Sequence, residues 1–322
     1  MYSQVRQAAL ASGAARRWRR GFSALVALMW LGSPNLAAQP YAGTIFVDPD
    51  IVGPADSTEY RQATSLGRGQ RTVFDRRVNQ FITIDAYLFG ITYGDGLALE
   101  AQVNPEFGSE ENARIEAEKY GRLLGQLPYV LRTQVLSLWI HKGVELFGGG
   151  NRSVLVHTGQ TEFYERDGIL EETLFHEASH SSLDGLHAAS AGWLAAQQAD
   201  NGFISTYARD NPTREDIAES FLLYFAVSYR PERISQTDHN KIVGAMPNRI
   251  RYFDHNVPLG RPCTPSAVCH VTGGNAPPRL YPGGASAVPS RPLAPLQPGE
   301  ARSKRPERAR TPAPVRRESR SN

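Results

Sequence analysis

Two histidines four residues apart, with a glutamate directly after the first, are the residues of this chain best suited to do chemistry: His176-Glu177-Ala178-Ser179-His180. On an α-helix, residues four apart share one face and lie about 6 Å apart along the axis. Two imidazoles at that spacing close on one Zn²⁺, with nitrogen–metal distances near 2.0–2.1 Å. Glu177 falls about 100° round the helix from His176, beside the metal rather than on it. From there a carboxylate takes a proton from a zinc-activated water. The HExxH pattern also arises by chance, so a helix frame and a third ligand have to accompany it.

The flanking residues predict that helix. Asp167-Gly168 offers an N-cap, Glu171 and Glu172 favour the first turn, and Leu170, Leu174 and Ala178 form an i, i+4 apolar stripe. Asp184-Gly185 reads as the stop. The metzincin spacing HExxHxxGxxH needs glycine at position 183 and histidine at 186, and both are leucine, Leu183 and Leu186. His187 is out of register and reads as a turn or surface residue. Asp184 continues the histidine stripe but is short and a turn further on, so it is expected to hydrogen-bond a ligating imidazole rather than the metal.

A third ligand is offered downstream, in Ser205-Thr206-Tyr207 through Glu215-Asp216-Ile217-Ala218-Glu219-Ser220-Phe221. Asn211-Pro212-Thr213 predicts a helix start, with Thr213 as N-cap and Glu215 and Asp216 in the first turn. Ile217, Phe221, Leu222, Phe225 and Ala226 make its buried face, and Glu215 and Glu219 share another. Packed against the HExxH helix, it would aim Glu215 at the zinc and Glu219 at the back of a ligating imidazole. Taken alone, such a glutamate pair more often faces water.

HExxH followed by a tyrosine, a short turn and E-x-x-A-E-x-F resembles the gluzincin metallopeptidases of the anthrax lethal factor type and the secreted Pro-Pro endopeptidases. The resemblance covers about residues 170–226. It implies His176, His180 and Glu215 as zinc ligands, Glu177 as general base, Tyr207 as hydrogen-bond donor to the oxyanion and Glu219 as a carboxylate behind a ligand. Tyr207 stands one residue further from the glutamate than in lethal factor. The fold expected from the resemblance is an α+β, zincin-like metallopeptidase domain.

The rest of the chain sets the context. Arg16, Arg17, Arg19 and Arg20 precede an apolar stretch, Phe22 to Gly32, too short to span a bilayer, and Leu36-Ala37-Ala38 offers a cleavage site. Residues 1–38 therefore read as an export signal, which places the protein in the periplasm or outside the cell. In an exported chain, Cys263 and Cys269 are candidates for a small-loop disulfide. Residues 273–322 hold ten of the 22 prolines and no hydrophobic periodicity, and read as a disordered basic tail able to touch anionic cell-envelope polymers weakly. Without interleaved aromatics, this tail is a poor nucleic-acid binder. With +5 in residues 1–38 and +7 in residues 273–322, the chain's net +3 leaves −9 for residues 39–272. That acidic stretch is long enough for one catalytic domain.

Within it, Val73, Phe81, Ile82, Ile84, Tyr87, Phe89 and Ile91 suggest strands near 72–96, and residues 110–126 a helix. A second helix is expected from Pro128, holding Val130, Leu131, Val135 and Leu136. Gly148-Gly149-Gly150 reads as a break, and lacks the Gly-Lys-Ser/Thr of a phosphate loop. Ser153–His157 reads as a strand, and it or its neighbour is expected to border the cleft and receive an extended peptide. His157 is expected to be structural; Tyr164 and Arg166 are weaker candidates to line the site.

The whole reads as an exported zinc metalloendopeptidase acting on a peptide or protein substrate. The rival readings are a zinc amidase for a cell-envelope substrate and a zinc- or peptide-binding module without turnover.

Overall fold

A computed structural model of the chain describes residues 38–257 and Leu259. All but the last residue of the expected signal, the cysteines Cys263 and Cys269, and the tail 273–322 lie outside the described residues. The described part is a mixed α+β structure on one six-stranded sheet, with none of its helices long and apolar enough to cross a membrane.

Strands β1 (Tyr60–Asp75), β2 (Gln80–Tyr93) and β3 (Ala98–Val103) form an antiparallel meander. Helices α1 (Glu110–Leu124) and α2 (Tyr129–Arg132) then cross over, as a parallel connection requires, to β4 (Ser137–His141). Strands β5 (Gly148–Gly150) and β6 (Ser153–His157) complete the order β1-β2-β3-β4-β6-β5, with β6 parallel to β4 and β5 antiparallel at the edge. Then come α3 (Thr158–Asp167), α4 (Leu170–Ser179), a π-helical segment (His180–Ala188), α5 (Ala191–Ala199), α6 (Thr206–Asp210), α7 (Asp216–Tyr229), α8 (Gln236–Ala245) and α9 (Pro247–Asn256).

The sheet alternates its faces with period two. Leu138, Ile140, Val154 and Val156 join the main core with Leu174, Phe175 and Phe221 from the helices, while Trp139 and Leu155 face the other way onto Val73 and Phe74. Helix starts follow their caps: Ser109 accepts from Asn112 N on α1, and Ser190, Ser205 and Ser235 cap α5, α6 and α8.

Several boundaries differ from the sequence reading. The second helix stops at Arg132, so Val135 and Leu136 precede β4 instead of extending α2. The glycine run is a strand, not a break. A Cβ on Gly149 would lie 1.9 Å from the carbonyl oxygen of Glu177, so only glycine lets this strand approach α4 so closely. Gly168 sits at φ +67° as the C-cap of α3, and α4 begins after Ile169 without a side-chain cap. Asp184-Gly185 does not stop the helix, which continues through the π-helical turns to Ala188. Thr213 lies in a turn, and α7 starts at Asp216 with Glu215 as its N-cap residue.

His157 is structural. It is fully buried, donates from Nδ1 to the Lys142 carbonyl (3.0 Å) and stacks on His141, its register partner on β4, with ring centroids 5.3 Å apart. His141 accepts at Nδ1 from the Asn104 amide (2.9 Å). Burial, and then the neighbouring imidazole, push His141 down to about 4, against the pull of Asp75 and Glu106; Arg77 adds to the depression. Burial lowers His157 as well. A depressed histidine binds its proton more readily when unfolded, so its stabilisation is present above pH 6.5 and lost as pH falls toward 4. His141 alone is worth about 3 kcal/mol over that window. Urea midpoints at pH 7 and pH 4.5 should show the loss, and His141→Gln should flatten it; an unchanged slope in that variant would assign the loss to other groups.

Candidate metal centre

Helix α4 brings His176 into its last turn, and the chain continues without interruption so that His180 stands on the same face one turn later. Glu215 enters from the start of α7, which packs on α4 through Phe175 against Phe221 and Phe225. The three side chains converge. Nε2 of His180 lies 3.1 Å from Nε2 of His176 and 3.0 Å from Oε2 of Glu215, and the remaining edge is 3.4 Å. A tetrahedral ion with bonds of about 2.0–2.1 Å holds its ligand atoms about 3.3–3.4 Å apart, so these donors form one face of such a tetrahedron. Among the described residues this is the one group of three or more metal-ligating side chains close enough to share an ion.

The tautomers agree with that fit. His180 donates from Nδ1 to Asp184 Oδ2 at 2.8 Å, which leaves its Nε2 lone pair facing the other two donors. The Nδ1 of His176 faces Glu219 Oε1 at 3.5 Å, longer than a good hydrogen bond. Both imidazoles thus present Nε2 inward, together with a carboxylate oxygen, in a pocket about nine-tenths buried. Convergent lone pairs in such surroundings call for a cation between them.

No family model, curated protein or solved structure matches this chain. The site therefore stands on its own geometry.

Its electrostatics are those of a tightly coupled cluster. Burial opposes charge on His180, but Asp184 and Glu215 override it and hold its pKa well above the usual value. Burial likewise works against the Glu215 carboxylate, and the two imidazoles override it, keeping it well below the ordinary carboxylate range. Burial and then the charge of Glu215 raise Tyr207. Tyr207 accordingly stays protonated and remains a donor beside the cluster.

The remaining candidates separate cleanly. Glu177 is half-buried and outside the three-residue group, close enough for its charge to act on His176 and Tyr207. Asp184 lies behind His180, and Glu219 lies behind His176. His187 bonds the Tyr252 hydroxyl at 2.8 Å and takes no part in the metal group. Tyr164 is buried against Phe147 at the start of β5, whereas Arg166 is exposed and paired with Asp167.

Three supporting residues escape a reading of the sequence. Arg214 grips Glu215 Oε1 at 2.8 Å and turns the other oxygen toward the histidines. Ser205 donates to Glu219 Oε2 at 2.5 Å, and the Thr44 amide donates to the same oxygen at 3.1 Å. Arg214, adjacent to the ligand in sequence, carried a weak signal; Thr44, 175 positions from Glu219, carried none.

Proposed function

We propose that this chain is a zinc-dependent peptidase of the gluzincin type, with a zincin-like catalytic domain and His176, His180 and Glu215 as the metal-holding residues. The observation that carries the reading is the convergence of these three donors at 3.0–3.4 Å with Glu177 beside them. Two histidines and a carboxylate with an open fourth position are the donor set of hydrolytic rather than structural zinc sites, which are closed by four protein ligands. A zinc ion held there acts as a Lewis acid and lowers the pKa of a bound water from 15.7 toward about 7.

The chain's own residues do the rest. Glu177 removes the proton of the attacking water and passes it to the leaving amine. Tyr207, kept protonated, donates to the oxyanion that develops on the scissile carbonyl. Asp184 and Glu219 orient the imidazoles from behind, and Arg214 does the same for Glu215. Because β6 is flanked on both sides, the edge strand β5 beside α4 is the place for an extended peptide to add. Arg76 donates to the Phe147 carbonyl at 2.9 Å and so caps the start of that edge. With residues 1–38 as an export signal, the substrate is a peptide or protein outside the cytoplasm, and the basic tail supplies weak attraction to an anionic envelope.

The test combines metal analysis with cleavage of a random peptide library. The purified protein should hold one zinc per chain and cut peptides, chelation should stop cleavage, and zinc should restore it. Glu215→Ala should lose both metal and activity. Stoichiometric zinc without cleavage would leave a zinc-binding module; no zinc at all would sink the reading.

A further inference from the structure

The segment that follows the expected export signal runs behind the metal centre and touches each of the elements that build it. Tyr41 pairs with Ser205 in a parallel bridge. Its carbonyl accepts from Thr206 N at 2.9 Å, and the Ala42 carbonyl accepts from Tyr207 N at 3.1 Å. Two residues on, the Thr44 amide donates to Glu219 Oε2 at 3.1 Å, the carboxylate that backs His176. Farther along, Val52 N donates to Glu172 Oε1 at 2.8 Å, on α4 one turn before His176. Thr44, Ile51 and Val52 are buried, and Arg233 donates to the carbonyls of Asp50 and Ile51 from outside. One stretch of a dozen residues thereby joins α4, α6 and α7.

We propose that residues 41–52 are a positioning strap of the metal centre, not a removable pro-segment, and that the Thr44 N–H acts on His176 through Glu219. The proposal rests on reading His176, His180 and Glu215 as a metal site. Glu219 is buried and has two donors on one oxygen, Ser205 and Thr44, which leave its other oxygen facing His176 Nδ1. Without the Thr44 donor the carboxylate loses one of two fixed points and can rotate away from the imidazole. A carboxylate behind a ligating imidazole, the place Glu219 holds, typically contributes 10–100-fold to metal affinity, and the Thr44 donor acts by keeping it there. The Thr44 hydroxyl, by contrast, is buried without a hydrogen-bond partner and contributes nothing to the chain of contacts. The backbone donor, not the side chain, is the active group.

That asymmetry makes the experiment. Zinc affinity is measured by competition with a chromophoric chelator, and the geometry of the site by the visible absorption of the cobalt-loaded protein. Thr44→Val keeps the amide and should bind zinc within about twofold of the unaltered protein. Thr44→Pro removes the amide and should weaken zinc binding 10–100-fold and shift the cobalt spectrum, with the metal-free circular dichroism unchanged. If the proline variant fails to fold, an amide-to-ester substitution at residue 44 removes the same N–H without the ring, and the same loss is expected. Equal affinities for the valine, proline and ester forms would overturn the strap while leaving the metal site intact. An unaltered protein that binds no zinc would instead overturn the reading on which the strap rests.

Discussion

Replacing Glu177 by glutamine should lower peptide hydrolysis by about a hundredfold to ten-thousandfold and leave the zinc content unchanged. Glutamine matches the shape of the carboxylate but cannot take a proton, so the substitution isolates base catalysis from binding. The expectation of retained metal follows from the geometry, since the group able to hold an ion consists of His176, His180 and Glu215 and excludes Glu177. The backbone at Glu177 is held firmly. Its carbonyl is pressed against Gly149 of β5, and the Ser181 hydroxyl bridges the π-helical segment after α4 to the sheet, donating to the Ser153 carbonyl at 2.6 Å and accepting from Gly150 N at 2.9 Å. The measurement is kcat on a cleavable peptide beside zinc per chain. Activity within tenfold of the unaltered protein would move the base elsewhere, and loss of zinc would make Glu177 part of the metal-holding group.

What the sequence disclosed was whatever it encodes locally. Helix α1 was readable because its cap, acidic first turn and buried Ala113, Ala117, Tyr120 and Leu124 lie within one short window. The His176/His180 pair was readable for the same reason, since its geometry is that of a single helix turn. Glu215 needed the tertiary packing of α7 on α4; the helix pattern and the resemblance both offered it in advance, but neither encodes that packing. Strand β1 was missed over residues 60–71 because that part of the long β1–β2 hairpin exposes residues on both faces, including Arg61, Gln62, Gly67 and Arg68, and so shows no apolar alternation. The triglycine strand was missed because glycine is there for close approach to α4, not for a turn. Contacts such as Thr44 to Glu219 leave no trace in a local pattern, since any peptide N–H can make them.

The second large effect concerns stability and sits at the same end of α7 as Glu215. Arg249 is fully buried, with its Nε 2.9 Å from Asp216 Oδ2 and its Nη1 2.9 Å from Asp200 Oδ2, both carboxylates being equally buried. Its guanidinium lies over Phe203 at 5.0 Å and near Trp193, and it also donates to the Gly202 carbonyl. Arg249→Leu leaves two carboxylates in the interior without a counter-charge, and removal of one partner from such a group costs about 3–5 kcal/mol. For a domain of this size that corresponds to a fall in melting temperature of roughly 10 °C, measured on the metal-free protein. Burial already raises Asp216 against the opposing pull of Arg249, so the loss of the arginine pushes that carboxyl further up. Removing the stranded charges as well, with Asp200→Asn and Asp216→Asn beside Arg249→Leu, should recover part of the loss. If the triple variant is no more stable than the single one, the cost lies in packing against Trp193 and Phe203 rather than in charge. Asp216 is the first residue of α7 and the neighbour of Glu215, so the network also anchors the third ligand. Arg249→Leu should therefore weaken zinc binding even where the protein remains folded, because the same helix start carries both Asp216 and Glu215.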